Sequence, residues 1–298
     1  MGLEDFKRTV TKNAIVKVIS IILIFRPIKS QNDLGKYILL LGIAQAAGSF
    51  TLWPYIKSSV YFISLNELNP FRHFYQALQL FIPTITTQVY LVVNRLMLGQ
   101  MSTQASVGEF DYADKIVKLV LSVVTATGTV MLSHVANSYA KGKIHSVRKS
   151  LYNSFDFVTS IAMPMMFGLM AISKQFAPWF LGKQYIETGS LIFLESPAII
   201  FIAWSSVIGN QYLTPVGKVK EFTLSVTAGA ITNIIANLFL IAMFNAYGSA
   251  VATVISELIT TLVQLYFIRN TISRRKLLYS SLYYFIDGCN NVPYCSLL

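Results

Sequence analysis

The fold is decided by residues 78–99, LQLFIPTITTQVYLVVNRLMLG, in which an arginine lies among apolar residues. The stretch has the ~20 residues that a helix needs to cross a bilayer core of ~30 Å. An arginine facing lipid at such a depth is costly, so Arg95 is expected to face a partner, a cavity or the interior of a bundle. The sequence therefore predicts a membrane protein built around this helix.

The composition of the whole chain agrees with a membrane location. Of its 298 residues, 54% are hydrophobic and only 12% are charged, and the charged residues cluster between long apolar runs. This balance excludes an ordinary soluble domain. We predict an all-α polytopic membrane helical bundle with about eight transmembrane helices, at residues 13–25, 34–55, 78–99, 116–138, 151–172, 190–213, 222–244 and 248–268.

The net charge of +11 indicates orientation in the membrane. The basic residues lie in short loops, and no soluble domain is available to form a nucleic-acid groove. Loops on one predicted side carry 15 basic residues and those on the other carry 7, so the positive-inside rule places both termini in the cytoplasm. The two cysteines, Cys289 and Cys295, indicate neither a disulfide scaffold nor a metal site.

Polar residues recur at helical spacing inside four of the predicted helices. Such stripes either join helices by hydrogen bonds or line a hydrated cavity. Four stripes in one protein, together with intramembrane charges, favour the cavity. The substrate-cavity candidates are Thr84, Gln88, Asn94, Arg95, Lys118, Asn233, Asn237 and Glu257.

The four intramembrane charges are not equivalent. Lys17 lies near the cytoplasmic end of its helix, where its side chain can reach the headgroups. Glu195 lies near the outer end of its helix, just before Ser196-Pro197, where a kink is expected. Arg95 and Glu257 lie deeper, and they either pair with each other or contact substrate.

The sequence shows neither the phosphate-binding motif of an ATP-driven pump nor the motifs of a metal-dependent or nucleophilic enzyme. The segment around Lys218 has neither the upstream glycine nor the hydroxyl residue of a phosphate-binding loop. Neither metal-ligand spacing nor a nucleophile–histidine–acid set is apparent in the sequence. We therefore predict no catalytic residue and no cofactor, and we expect secondary transport with alternating access to a site near the membrane midplane.

Several motifs together resemble those of the Wzx-type polysaccharide flippases, a family of the multidrug/oligosaccharidyl-lipid/polysaccharide (MOP) exporter superfamily. The resemblance covers roughly residues 2–275. It is carried by residues 2–7 (GLEDFK), 26–30 (RPIKS), 81–83 (FIP), 94–99 (NRLMLG) and 107–116 (VGEFDYADKI).

This resemblance implies a MATE-like transporter with two six-helix bundles around a central cavity in the bacterial inner membrane. It implies flipping of undecaprenyl-diphosphate-linked oligosaccharide for O-antigen or capsule biosynthesis. It also implies coupling to H+ or Na+, and a polysaccharide polymerase and chain-length regulator as partners. Arg95 suits a diphosphate, because a guanidinium is planar and permanently charged. Asn94-Arg95 departs from the family's frequent Asp-Lys, which argues against ion coupling at this position.

The resemblance also predicts the division of the chain. The motif at residues 2–7 follows the fourth helix in the family, so the first bundle is expected to be incomplete and the protein weak or inactive in complementation. The predicted parts are a remnant of the first bundle (1–56), a cytoplasmic interfacial connection (57–78), a six-helix bundle (79–268) and a basic cytoplasmic tail (269–298).

Two other functions compete with a flippase. A drug or cation antiporter of the same superfamily is favoured by Glu257 and disfavoured by Arg95, which would repel a cation. A membrane enzyme, such as a polymerase or glycosyltransferase, is disfavoured because the loops are short and carry no motif with a mechanism.

Overall fold

A computed structural model describes residues 18–23, 33–50, 71–126, 128–273 and 277 of the chain. Lys17, residues 57–70 of the predicted connection and residues 278–298 of the predicted tail, including both cysteines, lie outside the described residues. The chain divides into two compact units, Met1–Pro70 and Phe71–Leu298.

The first unit contributes short helical segments with apolar surfaces. Residues 18–23 are helical, and α1 spans Leu34–Phe50. The side chains of Ile38, Leu39 and Ile43 on α1 are exposed. Both segments lie within helices that the sequence predicts to cross the membrane.

The second unit is helical throughout its described residues, apart from short turns, which confirms the predicted all-α class. A short 3₁₀ turn at Lys183–Tyr185 precedes the fifth of the seven helices described in this unit, and a π-helix at Ser206–Leu213 follows the sixth. The helices are α2 (Phe71–Met101), α3 (Gln104–Thr125), α4 (Gly128–Ala140), α5 (Ile144–Phe180), α6 (Ile186–Glu195), α7 (Ala198–Ser205) and α8 (Val219–Ile268).

Local chemistry accounts for where α2 and α3 begin and continue. Pro83 lies inside α2 without ending it, and the hydroxyl of Thr87 donates to the Pro83 carbonyl at 3.0 Å. Thr103 caps α3, because its Oγ1 accepts a hydrogen bond from the Ser106 backbone N–H at 3.2 Å. Both helices begin before the predicted membrane spans at 78 and 116, because the polar residues there are helical as well.

Two interruptions divide the later helices. The predicted kink at Ser196-Pro197 is confirmed, since α6 and α7 meet there at 47°. Asn245, with φ of 50° and ψ of −128°, divides α8 into an arm at 219–244 and an arm at 246–268. These arms correspond to the last two predicted helices. The chain reverses at Asn245, and the contact of Asn233 with Ser256 shows that the two arms lie side by side.

Length and composition identify fewer membrane-crossing helices than the eight predicted. Within the described residues, Ile144–Phe180 and Val219–Ile268 are long and apolar enough, and the bent pair Lys183–Glu195 and Ala198–Leu213 makes a third. Helix α8 counts once although it contains two arms. The 31 residues of α2 measure ~46 Å, but the polar residues along this helix lower its hydropathy.

The second unit is apolar outside and partly polar inside. Large side chains such as Leu119, Phe239 and Met243 are exposed, whereas Asn233, Ser249 and Gln264 are fully buried. In water this arrangement would be unfavourable, but in a bilayer the outer apolar surface faces lipid and the polar groups bond to one another. The polar residues along the 246–268 part of the chain, such as Ser249 and Gln264, therefore form a buried face.

We predict that Gly248→Ala destabilises the protein by roughly 1–3 kcal/mol. A Cβ at Gly248 would overlap the backbone carbonyl of Leu240 and lie 2.8 Å from the Ile241 nitrogen, and the backbone cannot easily move. The melting temperature of the purified protein in detergent is the measurement.

Gly168→Ala is the matched control, since no heavy atom lies within 4 Å of its Cβ position in the described structure. Alanine has the higher helix propensity, so this variant should melt at the wild-type temperature or above. Equal melting temperatures for the two variants would contradict the close packing of the α8 arms.

Candidate functional site

The second unit contains a cavity of about 340 Å³ between α2, α3, the bent α6–α7 segment and α8. Polar and charged side chains from all four elements reach it. Its polar and charged lining residues are Thr87, Tyr90, Asp114, Lys118, Thr125, Glu195, Ser205, Ser206, Asn210, Thr253, Glu257 and Thr260.

Four ionisable lining groups lie at one depth in the bundle. Tyr90 lies eleven residues before the end of α2. Asp114, Glu195 and Glu257 lie nine to eleven residues after the starts of α3, α6 and the 246–268 arm of α8, which meet at the same end of the bundle. At 1.5 Å per residue they lie ~14–17 Å from that end, about half the thickness of a bilayer core. The cavity is therefore separated from this end of the bundle by about half the thickness of a bilayer core.

The charged lining of the cavity is mainly acidic. Three carboxyl side chains and one ammonium group, that of Lys118, face it within the described part of the chain. The Lys118 Nζ donates to Asp114 Oδ2 at 2.7 Å. The Tyr90 hydroxyl donates to Glu257 Oε1 at 2.5 Å. The resemblance implied a diphosphate substrate, for which a basic lining would be expected, whereas the lining of this cavity is mainly acidic.

Arg95 lies beside the cavity and does not line it. Its guanidinium contacts Asp111 at 3.0 Å and Asp114 at 3.2 Å, and its side chain is 40% exposed. Of the two predicted alternatives for Arg95, pairing with Glu257 is wrong, because Glu257 accepts from Tyr90 and Arg95 binds aspartates of α3. Contact of Arg95 with substrate stays a prediction.

A cluster of buried amides and hydroxyls joins α2 to the second arm of α8, and the second arm to the first. Asn94 donates to Thr253 at 3.2 Å and accepts from Ser249 at 2.5 Å. Asn237 donates to Asn233 at 2.9 Å, and Asn233 donates to Ser256 at 3.4 Å. Hydrogen bonds of this kind stabilise helix packing in membranes, and this is the structural role of the three asparagines.

The eight candidate residues are thus distributed over four places. Lys118 and Glu257 line the cavity, and Asn94, Asn233 and Asn237 form the amide cluster. Thr84 and Gln88 are exposed on α2, while Arg95 lies in the ion pairs. Contact of these eight residues with substrate stays a prediction.

Sequence reasoning missed Tyr90 and Asp114 and undervalued Glu195. The predicted membrane helix begins only at Ile116, where the apolar run starts, so Asp114 falls just outside it, although α3 already begins at Gln104. One available signal was the spacing of Asp114 and Lys118, since residues four apart meet on one side of a helix. Tyr90 gave no signal beyond its aromatic type.

The bundle end that holds Asn245 has its own polar contacts. The Tyr247 hydroxyl donates a hydrogen bond to the Glu187 carboxylate, and the Ser102 hydroxyl donates to Asn245 Oδ1 at 3.2 Å. Partial burial and the nearby Glu187 carboxylate raise the pKa of Glu109 at this end. These contacts hold the loops of this end together.

We predict that Lys118→Gln lowers stability by about 1–3 kcal/mol. The change takes a donor from Asp114, whose side chain is only 6% exposed. Thermal unfolding of the purified protein measures the loss.

Lys115→Gln provides the comparison, because Lys115 forms the same kind of pair, four residues from Asp111 at 2.6 Å, with a side chain that is 63% exposed. Removing an exposed pair costs roughly 0–1 kcal/mol. A loss at Lys115 as large as that at Lys118 would show that burial of Asp114 is not the cause.

Comparison with known proteins yields one family and several relatives. The model of a family described as polysaccharide biosynthesis protein matches residues 6–190. A putative O-antigen transporter of Shigella dysenteriae is 23% identical over 284 residues, covering 89% of this chain and 66% of that protein. A probable low-salt glycan biosynthesis flippase, Agl15, of Haloferax volcanii is 21% identical over 179 residues, covering 59% and 37% respectively.

A solved structure shares the fold. The lipid II flippase MurJ in an inward closed conformation matches with a TM-score of 0.68 and 20% identity, covering 96% of this chain and 60% of that chain. This chain spans 66% or less of the length of each of these three proteins.

The matches and the apolar helices together identify a multi-pass membrane protein. They confirm the resemblance to the Wzx-type flippases of the MOP exporter superfamily that the motifs carry. The family model matches more than half of the residues, and the chain belongs to the polysaccharide biosynthesis protein family.

Proposed function

We propose that this protein is a secondary transporter that flips undecaprenyl-diphosphate-linked oligosaccharide across the bacterial inner membrane for O-antigen or capsule biosynthesis. Family membership and relatives named as an O-antigen transporter and a glycan flippase support the proposal. The excess of basic residues in alternate loops supports cytoplasmic termini. A polysaccharide polymerase and a chain-length regulator would act on the flipped product.

The observation that carries the proposal is a group of cations at the junction of α2 and α3, which we call the Arg95 patch. It consists of Arg95, Lys115 and Lys118, whose side chains are 40%, 63% and 37% exposed. Asp111 forms ion pairs with Arg95 and Lys115, and Asp114 forms ion pairs with Arg95 and Lys118. A diphosphate offers acceptor oxygens of the same charge, and Arg recognises phosphate as it does carboxylate.

Replacing Asp111 by a phosphate oxygen is energetically feasible. Its side chain is 27% exposed, and pairs between partly exposed groups contribute roughly 0–1 kcal/mol. A lipid diphosphate can therefore displace Asp111 from Arg95 at small cost. The more deeply buried Asp114 would keep its bond to Lys118.

The cavity itself is too small for the proposed substrate. Its volume of about 340 Å³ lies at the lower limit of ~300–1,000 Å³ for drug-sized ligands. A sugar repeat unit with its diphosphate is larger than that. The headgroup must therefore bind at the Arg95 patch, and the cavity accommodates a smaller group.

A drug or cation antiporter is the second candidate, and one observation favours it. Asp114, Glu195 and Glu257 face the cavity, and among the described residues only one cation, Lys118, faces it with them. This balance suits a cationic ligand. Drug-resistance profiling of cells that express the protein separates the two functions, because an antiporter confers resistance to cationic drugs and a flippase does not.

We predict that Arg95→Gln weakens binding of undecaprenyl diphosphate to the protein in lipid nanodiscs by about tenfold or more. The variant loses the charged fork that would hold the diphosphate, and a tenfold change corresponds to ~1.4 kcal/mol. Titration with undecaprenyl diphosphate and with the monophosphate measures the preference.

Lys36→Gln is the matched control, because Lys36 pairs with Asp33 at 2.7 Å and is 67% exposed. This variant should bind as the wild type does. Equal affinities for Arg95→Gln and the wild type would exclude the Arg95 patch as the headgroup site. The transport step is measured as movement of a labelled lipid-linked oligosaccharide between leaflets of proteoliposomes, and a rate equal to that of protein-free liposomes would contradict flipping.

A further inference from the structure

The connection between α4 and α5, together with the first turns of α5, carries cations without anions. Lys141, Lys143, Arg148 and Lys149 are all exposed. No Asp or Glu occurs from residue 116 to residue 155. Within the described part of the chain, none of these four cations forms an ion pair. We call residues 141–149 the basic turn.

The backbone holds the basic turn in a defined conformation. Gly142 has a φ of 69°, which glycine adopts without strain. Its N–H donates to the Tyr139 carbonyl at 2.9 Å, and the Lys143 N–H donates to the Ser138 carbonyl at 3.0 Å. These are the two hydrogen bonds of a Schellman motif. The cations of the basic turn are therefore kept near one another although their charges repel.

Helix α5 does not compensate these charges itself. Its first turn contains no acidic residue, and Lys143 at the cap position makes no side-chain hydrogen bond to the helix. Negative charge is favourable at the start of a helix and positive charge is unfavourable there. The cations of the basic turn thus add to the positive end of the helix dipole.

The ends of α8 add further positive charge to the same end of the bundle. The Ser273 N–H, just after α8, donates to the Tyr152 hydroxyl of α5 at 3.0 Å. Because α8 reverses at Asn245, both of its ends lie here. Within the described residues, one acidic residue at these two ends, Glu221, accompanies three cations, Lys218, Lys220 and Arg269. This end of the bundle therefore attracts anions from outside the second unit.

The first turns of α5 lie close to the lipid headgroups. Exposed apolar side chains of α5 extend from Phe157 to Trp179, a distance of ~33 Å that matches the ~30 Å of a bilayer core. Arg148 and Lys149 precede Phe157 by nine and eight residues, which is ~12–14 Å along the helix. The headgroup layer occupies roughly 5–8 Å of this distance. Long basic side chains can reach back to it.

We infer that the basic turn is a docking surface for anionic phospholipids of the adjacent leaflet. Arg148 and Lys149 contact the headgroup phosphates, and Lys141 and Lys143 add attraction over about one Debye length, ~8 Å at physiological ionic strength. The partner is a lipid because headgroup phosphates already lie within reach of α5. A lipid ligand at one turn is distinct from the orientation that basic loops indicate, and it does not depend on the proposed function.

Electron paramagnetic resonance of spin-labelled phospholipids tests the docking surface. The protein is placed in phosphatidylcholine nanodiscs, and its preference for labelled phosphatidylglycerol over labelled phosphatidylcholine is measured. A Lys or Arg near an anionic leaflet contributes about a fivefold preference. We expect about fivefold or more for the wild type, and less than about twofold for the double variant Arg148→Gln with Lys149→Gln. High salt should weaken the wild-type preference, because exposed charges are screened.

Lys174→Gln with Lys183→Gln is the matched control. Both lysines are exposed and lie at the opposite end of α5 and just beyond it, where Glu109 and Glu187 offset them. This double variant should keep the wild-type preference. Equal losses in the two double variants would overturn the docking surface. No preference in the wild type would also overturn it and would leave the basic turn to a soluble acidic partner.

Thermal unfolding distinguishes lipid docking from a structural role of the two cations. A ligand that binds the folded protein stabilises it. Adding phosphatidylglycerol to the nanodiscs should therefore raise the melting temperature of the wild type more than that of the Arg148→Gln and Lys149→Gln variant. In pure phosphatidylcholine the variant should melt at the wild-type temperature or above, since it has lost repelling charges. A lower melting temperature there, with an equal gain from phosphatidylglycerol, would contradict docking at the basic turn.

Discussion

The buried carboxylate of Asp114 is the point on which the second unit depends. It accepts from Lys118 on its own helix and from Arg95 on α2, and it lines the cavity together with Glu195 of the bent segment. A carboxylate with 6% side-chain exposure is costly unless it is paired. This requirement fixes how α2, α3 and α6 approach one another, and hence where the cavity lies.

The polar contacts of the bundle separate into two groups with different consequences. The amide cluster of Asn94, Asn233 and Asn237 is neutral. It joins α2 to the second arm of α8, and that arm to the first. The charged group around Asp114 faces the cavity on one side and the partly exposed Arg95 patch on the other. Only the charged group can respond to an anionic headgroup, so the proposed transport involves it.

Sequence periodicity predicted the helices and the kink at Ser196-Pro197, because these follow from local hydropathy and proline geometry. It did not predict which polar face of α2 turns inward. Thr84 and Gln88 share the expected face with Arg95, yet both are exposed, while the neighbouring Tyr90 and Asn94 are buried. Helical spacing groups residues into faces, but partners distant in sequence, such as Glu257 for Tyr90, decide which face is buried.

A double-mutant cycle between Arg95 and Asp114 tests this account most directly. The free energies of unfolding of Arg95→Gln, Asp114→Asn and the double variant are compared with that of the wild type. We expect a coupling energy of about 1–3 kcal/mol, as for residues in one ion-pair network. Additivity of the two single changes within ~0.5 kcal/mol would show that Arg95 and Asp114 act independently, and it would contradict the central role of this pair.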